Sequence, residues 1–225
     1  MAVNTRRNAG QDSLRAFLLT GLLLLLPAVV AHWRMGRFAL HTALNGFHTG
    51  LGDAVFPWIT WLASGWLAVA LSLALLWRSW RSFLMMALAT GLSALVVQWL
   101  KRRVFEEFDR PSMFLEHMPG LPLVGGVELH HYFSFPSGHT TAAFSMCLAL
   151  AVIIGRRGAA ILLAVLAVLL GYSRVYLSQH FAEDVVAGAF TGSLVAVAVY
   201  LVLYHGRLGR NTRLDASPLR GGQNQ

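Results

Sequence analysis

Six stretches of this chain are apolar and long enough to cross a bilayer, which takes roughly 20 residues of helix. They run over 16–32, 54–77, 82–100, 138–155, 158–176 and 185–204. None contains Lys, Asp or Glu, and the single arginine among them, Arg174, ends the fifth. In hydrocarbon every backbone N–H and C=O must be bonded within the chain, so such stretches become helices. The expected fold is therefore all-α, a six-span transmembrane bundle. Charged residues make up 12% of the chain, about half the share typical of soluble domains. Pro27 inside the first stretch predicts a kink there. Cys147 is the only cysteine and cannot form an internal disulfide. The sequence divides into an N-terminal segment (1–15), one membrane domain (16–205) and a polar tail (206–225). The tail is rich in Gly, Arg and Asn and reads as disordered.

The net charge of +8 has to be sorted by membrane side. One set of connections (the N-terminus, the 78–81 turn, the 156–157 turn and the tail) holds 11 arginines against Asp12 and Asp215. The other set holds 7 basic residues against 8 acidic ones. Cytoplasmic loops carry the excess of Lys and Arg, so both termini are expected in the cytoplasm and the second set outside, in an inner or plasma membrane. Dispersal of the basic residues over separate short turns argues against a nucleic-acid partner. The first stretch could alternatively be a signal peptide cleaved after Val29-Val30-Ala31. The charge pattern suits six retained spans better.

Eight of the nine histidines fall on the outward side, His205 being the exception. Three polar clusters share that side. The first is Lys101-Arg102-Arg103 followed by Arg110-Pro111, the second is Pro136-Ser137-Gly138-His139, and the third is Ser173-Arg174, His180 and Asp184. If 180–184 is helical, His180 and Asp184 share a face, and the carboxylate can fix one imidazole nitrogen. The other nitrogen then keeps its lone pair as a nucleophile or base. Arg174 offers a planar fork of donors for phosphate. Ser137 reads as the N-cap of a helix whose free N–H groups favour phosphate, Gly138 leaves room for a ligand, and His139 could donate a proton. Each cluster alone could be an ordinary helix cap or interface anchor. Together, on one side, they supply the parts of phosphoryl transfer. No metal or other cofactor is expected, because His130-His131 lacks any accompanying ligand spacing.

These residues resemble the type 2 phosphatidic acid phosphatase (PAP2) superfamily, whose signature is K-x6-RP, then PSGH, then SR-x5-H-x3-D. The second and third motifs match in full. The first departs: Arg110-Pro111 is present, but Arg103 lies where the signature has lysine, and Lys101 lies two positions earlier. Either residue could be the first clamp. The resemblance implies a metal-independent phosphatase with the site at the periplasmic rim of the bundle. His180 would be the nucleophile, His139 the acid and Asp184 the orienting carboxylate. Arg103 or Lys101, Arg110, Ser137, Gly138 and Arg174 would hold phosphate. The implied substrate is a membrane lipid phosphate or diphosphate, of the undecaprenyl diphosphate, phosphatidic acid or phosphatidylglycerol phosphate type. Lipid A hydrolysis and phosphoryl transfer to a second lipid are the alternatives. The apolar residues Met113, Phe114, Leu115, Met118, Leu121 and Leu123 could dip into the interface or pack as a lid.

Overall fold

The structure, a computed structural model, describes residues 2–219, with side chains from residue 8 onward. All regular elements among these residues are helical: α1 (Ala2–Asn45), α2 (Gly50–Ile59), α3 (Gly65–Ala74), α4 (Trp80–Trp99), α5 (Gly138–Ile154), α6 (Arg157–Tyr176), α7 (Ala182–Tyr204) and α8 (Gly206–Gly209). Four spans meet the length and hydropathy needed to cross a membrane, namely Asn8–Asn45, Trp80–Val104, Arg157–Tyr176 and Ala182–Tyr204. A fifth forms if the pair Gly50–Ala63 and Gly65–Trp77, bent by 53°, counts as one. The bend falls at Ser64, which takes extended backbone between two helices.

α1 differs from its expected form. Helical angles continue past Pro27, and the non-helical residue is Gly36 at φ 75°, ψ 171°. Glycine adopts that conformation without the clash a Cβ would create. The break gives α1 a separate outer arm, from Arg37 to Asn45.

α5, the shortest of the expected spans at 17 residues, lies at the centre of the bundle, touched by α1, α4, α6 and α7. Most of its side chains are buried, and many are small: Ala143, Ser145, Cys147, Ala149 and Ala151. Surrounding helices, more than lipid, solvate it. The lipid-facing surface is instead carried by exposed residues such as Leu22, Leu23, Trp58, Trp66, Leu95, Leu162 and Phe190. An apolar surface of that extent marks membrane contact.

Three glycines set the contact of α5 with α6 and α7. A Cβ on Gly188 would stand 2.6 Å from the Ser137 carbonyl oxygen, and one on Gly192 would collide with the Thr141 carbonyl. A Cβ on Gly171 would meet Val185 Cγ1 at 2.9 Å and Thr140 Cγ2 at 3.2 Å. Gly188 and Gly192 form a small-xxx-small pair, which lets helix backbones approach closely in a membrane. The result clamps the start of α7 against the start of α5.

The tail between residues 206 and 219 corrects the expectation of disorder. It folds as α8 and a 3-10 turn (Thr212–Asp215) and returns to α4, where Ala216 O accepts from Trp80 N at 3.0 Å. The remainder of the expected disordered tail, 220–225, lies outside the described residues. Arg81 is the hub of this return. It donates to Asp215 Oδ1 at 2.8 Å, Asn211 O at 2.8 Å, Leu208 O at 3.0 Å and the Leu203 carbonyl.

Candidate active site

The sequence clusters converge at the end of the bundle opposite this tail. α6 ends at Tyr176, and residues 177–181 form a tight connection to α7. In it Ser178 takes φ 50°, and Gln179 N and His180 N both donate to Arg174 O, at 2.9 and 3.2 Å. The connection is braced from behind by the outer arm of α1. Asn45 Nδ2 donates to Val175 O at 3.2 Å, and His41 Nε2 lies 3.3 Å from Ser178 Oγ.

His180 and Asp184 meet, but not as two residues on one helical face. α7 starts at Ala182, so His180 precedes the helix. Asp184, in its first turn, reaches back as N-terminal acidic side chains do. Its Oδ2 accepts from Phe181 N at 3.0 Å, from Ser134 Oγ at 2.5 Å, and from His180 Nδ1 at 3.2 Å. With Nδ1–H donated to the carboxylate, Nε2 keeps its lone pair. The imidazole is 1% exposed. Burial, reinforced by the field of Arg110, Lys101, Arg174 and His139, holds His180 well below its ordinary value and therefore neutral.

Ser137 caps α5 as expected, accepting from Thr140 N at 3.3 Å, and its own N–H donates to Asp184 O at 2.9 Å. That one bond joins the second motif to the third. The first-turn N–H groups of Gly138 and His139 have no carbonyl one turn back to bond. Gly138 also admits a neighbour, since the position of a Cβ there lies 4.0 Å from Lys101 Cε.

Of the two candidates for the first clamp, only Lys101 enters this cluster. It is 7% exposed, and its Nζ donates to Phe133 O at 2.7 Å. Arg103 is exposed on the surface. The physical reason is local. α4 runs into a π-helical turn, Leu100–Val104, closed by Phe105 N to Leu100 O at 2.9 Å. The wider turn changes which side chain faces inward, so the residue at the signature's spacing, Arg103, points outward and Lys101 points in. Arg110 is held by Tyr132 O at 2.9 Å and by Gln179 O at 3.1 Å. Burial lowers it from its ordinary value, and the nearby Asp184 carboxylate opposes that shift. Arg174 is 6% exposed, and its Nη1 donates to Thr60 Oγ1 at 2.8 Å. Its Nε is buried without a hydrogen-bond partner among the described residues.

Three cations, free helix N–H groups and an orphaned guanidinium donor thus surround one buried, neutral imidazole. Orphaned buried donors are rare and point to a missing acceptor. The chemistry they fit is that of a tetrahedral oxyanion. Among the described residues no three His, Cys, Asp or Glu side chains gather as a metal site requires.

Comparison with known proteins places the chain in a family. The model of the PAP2 superfamily matches residues 82–207. The chain belongs to the PAP2 superfamily. Among curated members, undecaprenyl-diphosphatase BcrC of Bacillus subtilis is 27% identical over 75% of this chain and 82% of its own length. Lipid A 4'-phosphatase of Porphyromonas gingivalis is 29% identical over 75% of this chain and 73% of its own. The crystal structure of a transmembrane PAP2-type phosphatidylglycerolphosphate phosphatase from Bacillus subtilis superposes with a TM-score of 0.59, at 26% identity, over 84% of this chain and 94% of that one. By their names, these three relatives are phosphatases acting on lipid phosphates.

Ser134, Gln179 and Thr60 join the site without any signal in the motifs. Gln179 and Ser134 lie inside or beside the motifs at positions the signature leaves open, and Thr60 lies far from all three; what brings each in is a bond to a partner distant along the chain, which spacing does not show. The apolar residues of the outer loop divide between packed and exposed positions. Phe114 packs on Phe38 and Phe181, with ring centroids at 5.4 and 6.1 Å, and Met118 is buried. Met113, Leu115 and Leu123 remain exposed.

Proposed function

We propose that this PAP2 protein hydrolyses a lipid phosphate or diphosphate at the periplasmic face of the inner membrane, through a phosphohistidine intermediate and without a metal. The chain would cross six times, with α5 as the short central span, the bent pair α2 and α3 as another, and both termini in the cytoplasm. The excess of arginine at the termini end supports that orientation.

The observation that carries the mechanism is the buried His180–Asp184 pair, 3.2 Å apart, facing Lys101, Arg110 and Arg174. His180 Nε2 attacks the terminal phosphorus while the bond from that phosphorus to its leaving oxygen breaks, the lipid ester oxygen in a monophosphate or the bridging oxygen in a diphosphate. Asp184 stabilises the imidazolium as it forms. His139, in the first turn of α5, gives its proton to the departing oxygen. Arg174 Nε and Nη, Arg110, Lys101 and the N–H groups following Ser137 stabilise the equatorial oxygens. Water then attacks the phosphohistidine, His139 takes its proton, the bond from phosphorus to Nε2 breaks to restore the neutral imidazole, and inorganic phosphate leaves.

Undecaprenyl diphosphate, lipid A and phosphatidylglycerolphosphate, the substrates named for the relatives, define the substrate class. An outward site suits a lipid diphosphate released on that face. The test is phosphate release from a panel of lipid phosphates in detergent with chelator present. Release that survives His180→Ala, or that the chelator abolishes, would overturn the mechanism. Transfer of labelled phosphate to a lipid acceptor, and not to water, would instead favour the phosphotransferase reading.

A further inference from the structure

Gln179 precedes the nucleophile and is 2% exposed. Its side chain spans two partners from separate segments. Oε1 faces Arg110 Nη1 at 3.4 Å, and Nε2 donates to Glu128 O in the outer loop at 2.8 Å. The backbone oxygen of the same residue accepts from Arg110 Nη1 at 3.1 Å. Arg110 thus rests on the nucleophile connection through two oxygens of one residue, while the amide ties that residue to the loop covering the site. A neutral amide is the one side chain of this length that can accept from a guanidinium and donate to a carbonyl at once. Leucine or methionine would fill the space and make neither bond. Glutamate would draw Arg110 into an ion pair and repel Glu128 O.

We propose that Gln179 is a positioning residue: it sets the angle of the Arg110 guanidinium toward the phosphoryl group and couples that clamp to the outer loop, so that anion binding and loop placement depend on one amide. The proposal rests on the phosphate-binding reading of the site. Arg110 from the outer loop bonds residue 179 directly, and Arg110, Lys101, Arg174 and His139 all act on the adjacent His180. A carboxylate at 179 would therefore sit among cations and stay charged at neutral pH.

The experiment uses the full chain in detergent and two readouts, steady-state release of phosphate and binding of inorganic phosphate followed by its protection against thermal unfolding. Gln179→Met should leave the melting temperature of the free protein near wild type, weaken phosphate binding about tenfold, and raise KM more than it lowers kcat. Gln179→Glu should weaken binding further at pH 8 and recover toward the wild-type value, compared at each pH, as the solution is acidified and the new carboxylate is neutralised. Wild-type binding and KM in both variants would overturn the proposal. So would an equal defect in Gln179→Glu at every pH, which would mean the residue only supports the fold. The binding arm needs no turnover. A wild-type protein that binds phosphate but releases none would sink the hydrolase reading and leave this proposal standing.

Discussion

Two buried arginines at opposite ends of the bundle are equally hidden from solvent, each at 6% exposure, and are treated in opposite ways. Arg81, at the end that carries the termini, donates to an aspartate and three backbone carbonyls and so locks the tail onto α4. Arg174, at the other end, makes one side-chain bond to Thr60 and leaves Nε unpartnered among the described residues. Burying a charge is expensive unless its donors are satisfied. A satisfied buried arginine builds structure, while an unsatisfied one holds its donors for a ligand. Burial alone cannot tell the two apart; the hydrogen-bond inventory does.

Several substitutions would break or sharpen this contrast. The largest effect belongs to His180→Ala, which should reduce phosphate release by at least about 10³-fold, as loss of a nucleophile does, with little change in melting temperature. Arg174→Met should cost about 10²–10³-fold in kcat/KM, the range for a lost oxyanion donor, again with the fold intact. Lys101→Ala should cost less, about 10–10²-fold, and Arg103→Ala under about threefold; both are read in the same release assay. Arg81→Met should do the reverse of Arg174→Met. Removing a buried partner of Asp215 and three carbonyls should lower stability by about 3 kcal/mol, seen as a lower denaturation midpoint, while activity per folded molecule stays near wild type. If Arg81→Met lost activity and Arg174→Met lost stability, the contrast would fail.

The smallest effect is in pH. His180 must be unprotonated to attack, and its folded value lies well below the usual 6.5. The acid limb of kcat/KM should therefore fall below pH 6.5, not at it. The sign for stability agrees. The unfolded chain takes up a proton near the ordinary histidine value and the folded chain does not. The contribution of His180 is thus fully present above that value and declines as pH falls below it. A denaturant titration across that range in wild type and His180→Gln isolates it.

Much of the fold was legible along the chain. The starts of α5, α6 and α7 fall within three residues of expectation, because uninterrupted apolar runs and a Ser137 cap are local signals. The signals that failed were also local. Pro27 is the local signal for a bend in α1, yet the residue that leaves helical angles is Gly36, whose positive φ suits glycine. The polar composition of 206–219 suggested disorder, but composition does not reveal that Arg81 supplies donors to that segment's carbonyls. Motif spacing left Arg103 and Lys101 both open, and the π-turn shows that Lys101 is the one that faces inward.

By itself, then, the sequence determined a helical chain with membrane-length apolar stretches and the two motifs that match the PAP2 signature in full, which contain His139, Arg174, His180 and Asp184. These depend on hydropathy and on residues close together in the chain. Only the tertiary structure decided that Lys101 joins the cluster, that Ser134 holds Asp184, and that Gln179 lies between Arg110 and the outer loop. The physical reason is that each of these rests on a hydrogen bond or packing contact between segments dozens of residues apart. Those distances are set by how closely Gly188 and Gly192 let α7 approach α5.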